Sequence, residues 1–465
     1  MMKTVVIIGG GITGVTAMYH LAVQKPEWNI VLIEQDEQLG GKIRTVTHGG
    51  FTIETGADSI VARNAGVMPL VEELELTDKL VYNETGVSYL FTDGTLHKIP
   101  EETVFGIPTS TESLQESTLL SEKGKQEALA DFEKTDNPFG PDDSVGDFLT
   151  YYLGPEIVEK QIAPVLSGVY SGKLHNLTMK STLPYLLEYK NKYGSIIKGF
   201  SANKETFLGE KARKKFISFQ GGLGTLIDRL EERSAGARVR KGTAVTKLEQ
   251  KENGCSVSLQ NGETIEADDV ILAIPHHAAQ KILADASLDQ HFDQFQNSSL
   301  TSVYLGFDIP DERLPADGTG FIVTAGSGLT CDACTWTSRK WAHTSKDRKL
   351  LVRLFYKSTS PHYAALARMS EKELVETALA DLEKSLGIAE KPQTVEITPW
   401  TNLMPNYHLG HGQAVAELSE KLNERYPNIH LAGCSYFGVG IGACIQNGRQ
   451  TADAVLQNGH TSKKE

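Results

Sequence analysis

The sequence predicts an α/β (α+β) chain of two or three domains, one of them organised on a parallel sheet. Three observations predict it. The chain has 465 residues, more than one hydrophobic core sustains. Two apolar runs rich in β-branched residues, Thr4-Val5-Val6-Ile7-Ile8 and Asn29-Ile30-Val31-Leu32-Ile33-Glu34, lack the alternation of a half-exposed strand. They read as strands buried on both faces. Between them a glycine turn leads into a helical stretch from Val15 to Val23, which completes a βαβ unit.

The remaining elements follow in order. Val67 to Leu76 carries a helical pattern. Val87 to Phe91, Asp93-Gly94 and Thr95 to His97 make a hairpin. Residues 112 to 165 read as largely helical, interrupted by a Pro- and Gly-containing loop from Asp136 to Asp143. Residues 192 to 216 are polar and basic with little hydrophobic period, and mobility is expected there. Strands return at Arg238 to Arg240, Ala244 to Leu248, Cys255 to Leu259, Thr264 to Ala267 and Asp269 to Ala273, with Asn261-Gly262 as a hairpin turn. Residues 300 to 357 alternate like a sheet, and 371 to 386 form an amphipathic helix. Ile429 to Gly433 is a last buried strand before a glycine-rich turn and a helix through Leu456.

Composition excludes several function classes. Apolar residues are 40% and charged residues 23%, ordinary for a globular chain. Lys and Arg number 46 against 59 Asp and Glu, a formal charge of −13, which disfavours non-specific binding to nucleic acid or anionic lipid. Any anionic substrate must therefore meet a local basic patch. No stretch of about 18 residues is continuously apolar, so no transmembrane helix is expected. The apolar run at the start is only a strand's length and is followed by glycines, a poor signal-peptide core. Cys255, Cys331, Cys334, Cys434 and Cys444 are few, odd in number and scattered, which suits a reduced cytoplasmic protein.

The chemistry concentrates near the amino terminus. Gly9-Gly10-Gly11-Ile12-Thr13-Gly14 is a G-x-G-x-x-G between strand and helix. Gly9 permits the tight turn, Gly11 lets backbone approach a diphosphate, and Gly14 lets helix pack on strand. Ile12 and Thr13 open the helix, whose free N–H groups and dipole favour negative charge. Glu34 ends the next strand, where it can accept from ribose hydroxyls. The pattern points to a dinucleotide. Leu39-Gly40-Gly41-Lys42-Ile43-Arg44-Thr45 adds a second glycine pair with two cations for the diphosphate. Gly56, Ala57 and Asp58 form a turn after a strand, where a flavin can lie. Val245 can edge the adenine with backbone groups. Gly433 to Gly442, including Val439, Gly440 and Ile441, places glycines before a helix, where donors can reach the flavin edge that gains negative charge on reduction.

In this order the motifs resemble the flavin amine oxidase and protoporphyrinogen oxidase superfamily, over about residues 3 to 456. Ala163-Pro164-Val165-Leu166-Ser167-Gly168-Val169-Tyr170-Ser171-Gly172, Ala333 to Thr337, Trp400 with Met404 to His411, and Gly438 to Ile441 narrow the likeness to porphyrinogen oxidation. It is nearest the soluble Gram-positive enzymes that act on coproporphyrinogen III. Four positions depart from the family: Ala57 stands where proline is usual, Gly442-Ala443 where Pro-Asp is usual, and Lys173 where Asn or an acid is usual.

The resemblance implies FAD as cofactor, no metal, and a porphyrinogen and O2 as reaction partners. It implies six-electron oxidation in three two-electron steps, each passing hydride from a bridging carbon to the flavin and releasing H2O2. Trp400 joins the cofactor residues, and no catalytic acid or base is assigned. Arg63 is the expected propionate partner, and Val169, Gly172 and Phe355 are the expected substrate contacts. The implied fold is a discontinuous Rossmann-type FAD-binding domain (1–62, 214–290, 424–458), an antiparallel-sheet substrate domain (63–100, 291–423), a helical inserted domain (101–213) and a flexible tail (459–465). A downstream ferrochelatase is an expected transient contact. Nucleic acid and stable membrane insertion are not expected: Glu112, Glu116, Glu122, Lys123, Lys125, Gln126, Glu127 and Asp131 make a solvated face where membrane-bound relatives are apolar. Protoporphyrinogen IX is the alternative substrate. An amine oxidase or a non-catalytic flavin scaffold is more remote.

Other residues tempt and fail. Cys331 and Cys334 have C-x-x-C spacing, but no second pair completes a zinc site, and an alternating strand would point them to opposite faces. His276-His277 after Pro275 reads as a loop pair. His408 and His411 lack metal spacing.

Overall fold

The computed structural model describes residues 2–64, 66–169, 173–209, 216–324 and 326–461. Strand β1 (Thr4–Ile8), helix α1 (Ile12–Gln24) and strand β2 (Asn29–Ile33) form the expected βαβ unit, with β1 and β2 in parallel register. Strands β3 (Arg238–Arg240), β4 (Asp269–Leu272) and β5 (Ile429–Leu431) complete a wholly parallel sheet in the order β3-β2-β1-β4-β5. Alternate residues of β1 serve two different cores. Val5 and Ile7 pack with α1, and Val6 and Ile8 pack with Leu272, Ala279 and Leu418. This is why the run is apolar without alternation. The order reverses between β1 and β4, and in open α/β sheets ligands bind outside the strand ends at such a switch point. Helix α2 (Ile441–Thr461) closes the chain against α1. A Cβ at Gly448 would meet Thr13 O at 2.5 Å, so the two helices touch backbone to backbone.

A second sheet of seven strands runs in the order 394–406, 296–310, 349–357, 333–335, 318–323, 87–92, 95–98. Its pairs are antiparallel, except that 318–323 lies parallel to 87–92. One face carries Val303, Leu305, Val352 and Leu354 into a core covered by the helix Glu371–Leu386. The other carries Tyr304 and Leu351 against Phe51 and Ile53. A third core is helical and runs from Val104 to Phe200. Within it Lys190 and Asp131 pair at 2.9 Å, both side chains fully buried. No helix among the described residues is long and apolar enough to cross a membrane.

Several local expectations are corrected. Residues 192–216 are not irregular throughout: Ile196–Ala202 and Lys204–Leu208 are helices, with Ile196, Ile197 and Phe200 buried. The first buries Ile196, Ile197, Gly199 and Phe200, and the second buries no residue fully. Residues 210–215 lie outside the described residues. His276 and His277 are not a loop pair but open the helix His276–Leu283. Cys331 precedes the short strand Ala333–Thr335 instead of sharing it with Cys334, so the two cysteines enter the same core. Burial pushes both thiols well up, leaving them unreactive.

Candidate dinucleotide site

The three glycines of the first motif do three different things. A Cβ on Gly9 would strike Ala273 of the neighbouring strand's exit, and one on Gly14 would strike the carbonyl oxygen of Gly9. A Cβ on Gly11 would meet nothing within 4 Å. Gly9 and Gly14 are thus small for packing, and Gly11 is small toward open space. Gly11 caps α1 without a side-chain bond, and the first turn, with Ile12 and Thr13, holds no acid. The helix's free N–H groups therefore keep their affinity for an anion.

Three further segments are stitched to this loop. Gly40 N–H donates to Gly10 O at 2.8 Å, and a Cβ on Gly41 would lie 3.3 Å from Gly11 Cα. Ala57 N–H donates to Lys42 O at 3.0 Å, and Trp400 Nε1 donates to Thr55 O at 3.0 Å. Lys42 Nζ reaches Cys434 Sγ at 3.3 Å, and Gly433 N–H donates to Asn447 Oδ1 at 2.8 Å. Gly9–Gly14, Gly40–Lys42, Gly56–Asp58 with Trp400, and Gly433–Ile441 are therefore tied into one neighbourhood around the amino-terminal glycine turn. A Cβ on Gly440 would also meet nothing within 4 Å, and Val439 is 45% exposed.

Glu34 stands at the rim, its carboxylate accepting from Gly10 N–H at 2.6 Å and Asp36 N–H at 2.9 Å. A carboxylate has about four acceptor sites, so two remain for hydroxyls. Thr243 N–H donates to Glu34 O at 2.9 Å, which brings Val245 two residues from the same rim. Arg44 is exposed beside Gly41. Thr45 turns inward: its hydroxyl donates to Glu54 at 2.9 Å and accepts from Gly224 N–H at 2.9 Å.

Two of the departing positions, Ala57 and Gly442, have local causes. Ala57 keeps an N–H that proline would lack, and that N–H makes the bond to Lys42 O. Gly442 makes room for Asn64, whose side-chain amide would collide with any Cβ there. Lys173 is exposed, ahead of the short helix Leu174–Asn176.

Beneath the Gly56–Asp58 turn lies a charge cluster that pattern reading missed. Arg353, 3% exposed, donates to Gly56 O at 2.8 Å and Thr55 O at 3.0 Å. Tyr304 donates to Glu54 O at 3.0 Å. Lys340 pairs with Asp58 at 2.8 Å. Burial alone would raise the Asp58 carboxyl, but the Lys340 and Arg353 cations hold it down to about 2. Burial pushes Glu54 up to about 7, against the bonds it accepts from Leu223 N–H and Thr45. The signal for Arg353 was an arginine inside the apolar run Lys349–Lys357.

The expected substrate residues are less concentrated. Phe355 is half-buried on the Arg353 face of its strand, with the guanidinium 4.5 Å from its ring centre. Arg63 is exposed and sits 5.9 Å over the Phe207 ring. Val169 ends the helix Ala163–Val169, and its side chain lies outside what is described. Gly172 lies outside the described residues. His276, His411, Tyr407 and Tyr436 cluster behind the Gly433–Ile441 turn around Phe295. Burial, with His277 and His411 nearby, lowers His276 to about 4, so it is neutral near pH 7. Among the described residues no group of three or more His, Cys, Asp or Glu is placed to hold a metal ion.

Comparison with known proteins decides the family, since the flavin containing amine oxidoreductase family matches residues 12–456. The chain belongs to that family. It is accordingly an FAD-dependent oxidoreductase of Rossmann-type α/β fold. The donor set fits the cofactor: free helix N–H groups and Lys42 for a diphosphate, one rim carboxylate for ribose, and glycines open to space at both ends. Among its relatives, the coproporphyrinogen III oxidase of Bacillus subtilis is 35% identical, covering 98% of both chains. That of Staphylococcus aureus is 30% identical, covering 98% of this chain and 99% of the relative. A crystal structure from Exiguobacterium sp. 255-15, bearing the name of a protoporphyrinogen oxidase, superposes with TM-score 0.89 at 33% identity and covers 98% of this chain and 99% of its own.

Proposed function

We propose that this chain oxidises coproporphyrinogen III to coproporphyrin III with O2, in three two-electron steps that reduce three O2 to H2O2, as a step of haem biosynthesis. The near-full-length likeness to coproporphyrinogen III oxidases carries the reading. Bound FAD supplies the two-electron oxidation and its return to the oxidised form by O2. The amides of Gly11, Ile12 and Thr13 and the cations of Lys42 and Arg44 hold the diphosphate. Glu34 takes the ribose hydroxyls, and Val245 edges the adenine. Gly40, Gly41 and Thr45 shape the diphosphate wall. Gly56, Ala57, Asp58 and Trp400, together with Gly433, Val439, Gly440 and Ile441, would hold the flavin ring system. Arg63 meets a propionate, and Val169, Gly172 and Phe355 contact the macrocycle, so that a bridging carbon is oriented and water is kept out.

The same reading divides the chain into FAD-binding segments 1–62, 214–290 and 424–458, substrate segments 63–100 and 291–423, and a helical insertion 101–213. It places the enzyme in the cytoplasm and hands its product to a ferrochelatase. The second reading, protoporphyrinogen IX oxidation, is favoured by the name of the Exiguobacterium structure. An amine oxidase would need a cage of two aromatic rings facing the flavin, and Tyr407, with one face stacked on His411 at 3.8 Å between centres, is not enough by itself. The test is porphyrin fluorescence in air with FAD-loaded protein and both porphyrinogens. A higher kcat/KM for coproporphyrinogen III is expected. Equal or reversed preference gives the second reading, and bound flavin without activity on either overturns both.

A further inference from the structure

We propose that Tyr407 is a positioning residue that pre-forms the glycine turn 433–440 for the flavin. The proposal rests on the flavin reading above and goes beyond it. One phenol oxygen closes the turn from behind. It donates to Cys434 O at 2.8 Å and accepts from Gly438 N–H at 2.6 Å, so both hydroxyl functions are used. The two partners stand four residues apart, near the two ends of the turn. The ring is held flat on His411, 3.8 Å between centres and 16° between planes. His411 in turn reaches Tyr436 O through Nε2 at 3.3 Å. Tyr407 and His411 thus grip three backbone positions of one turn, and Gly433 is fixed separately by Asn447.

The need for such a grip follows from composition. Gly433, Gly438, Gly440 and Gly442 fall within ten residues, and glycine loses the most backbone freedom on ordering. Left free, the turn would be ordered at the expense of FAD affinity. Held from behind, it presents Phe437 and Val439, 39% and 45% exposed, on the opposite side. The hydroxyl is directed into backbone, so Tyr407 shapes the flavin wall without touching substrate.

The test is Tyr407→Phe, which removes one oxygen and keeps the ring. In titrations of FAD-free protein, Kd for FAD is expected to rise roughly tenfold, about 1.4 kcal/mol. Amide exchange across 434–440 is expected to speed up, the absorption band of bound flavin to shift, and KM for porphyrinogen to stay unchanged. A Kd within about twofold of wild type with unchanged exchange would overturn the proposal while leaving the flavin reading intact. A wild-type chain that takes up no FAD would overturn the flavin reading, and the proposal with it. If the variant does not fold, exchange in the wild type decides: a protected Gly438 amide in FAD-free protein supports the grip, and one exchanging at the rate of an unstructured peptide refutes it.

Discussion

Replacing Glu54 by Gln should change how stability depends on pH. The carboxyl is 4% exposed, and burial pushes it from 4.5 up to about 7. The folded protein therefore holds this proton more tightly than the unfolded chain does. Its contribution is complete below about pH 4.5 and is lost as pH rises through 7. At about 1.4 kcal/mol per tenfold in proton affinity, the loss is about 3 kcal/mol. Unfolding entropy of roughly 2.1 cal/mol/K per residue over 465 residues makes this about 3 °C in Tm. Gln keeps an acceptor for Leu223 N–H and offers its amide to the Thr45 oxygen, but carries no proton to lose. Glu54→Gln should match wild type near pH 5 and melt about 3 °C higher near pH 8.5. Calorimetry of FAD-loaded and FAD-free protein at both pH values measures it. Melting curves of variant and wild type that run parallel across this range would refute the reasoning.

Gly11→Ala should leave the melting of FAD-free protein within about 1 °C of wild type yet abolish flavin uptake, because its Cβ points to open space, whereas Gly14→Ala should destabilise the FAD-free protein by about 2 kcal/mol or more through collision with Gly9. Differential scanning fluorimetry with and without FAD separates the two. Asp131→Ala leaves the Lys190 ammonium buried without its carboxylate and should cost about 3–5 kcal/mol, with Asp131→Ala/Lys190→Met recovering part of it. Urea unfolding or amide exchange over 145–200 reads the difference. Arg63→Ala should raise KM for coproporphyrinogen III about fivefold with little change in kcat, the scale of one exposed ion pair of ~1 kcal/mol. An unchanged KM removes Arg63 as a propionate partner.

What was legible in the sequence was what local chain encodes. The strand–glycine–helix–strand–acid series lies within residues 4–34, and each glycine's role follows from its place in one turn. Contacts between distant segments were not legible. Arg353 reaches back 297 residues to Gly56 and Trp400 reaches back 345 to Thr55, and no periodicity reports such pairings. His276 was misread because two histidines obscured a helix start after Pro275, although Ala279, Ile282 and Leu283 keep helical spacing behind it. The helices from 196 to 208 are too short, seven and five residues, for a hydrophobic period to show in the sequence.

The same long-range contacts explain how an acidic chain can hold anionic ligands. A formal charge of −13 repels a diphosphate and a substrate bearing propionates at long range. The site's cations are not equally available to offset this. Lys340 is neutralised by Asp58, and Arg353 is spent on two backbone carbonyls. Together they fix the Gly56–Asp58 turn, and their charge acts locally where the burial of Glu54 keeps its carboxyl largely protonated below about pH 7. Lys42 donates to the Cys434 sulfur and makes no carboxylate pair among the described residues, and Arg44 is exposed. The proposed function assigns these two to the diphosphate and Arg63, whose guanidinium lies 5.9 Å over the Phe207 ring, to the substrate. The difference follows from burial: cations inside the fold shape the backbone, and those nearer the surface are the ones the proposed function assigns to ligands.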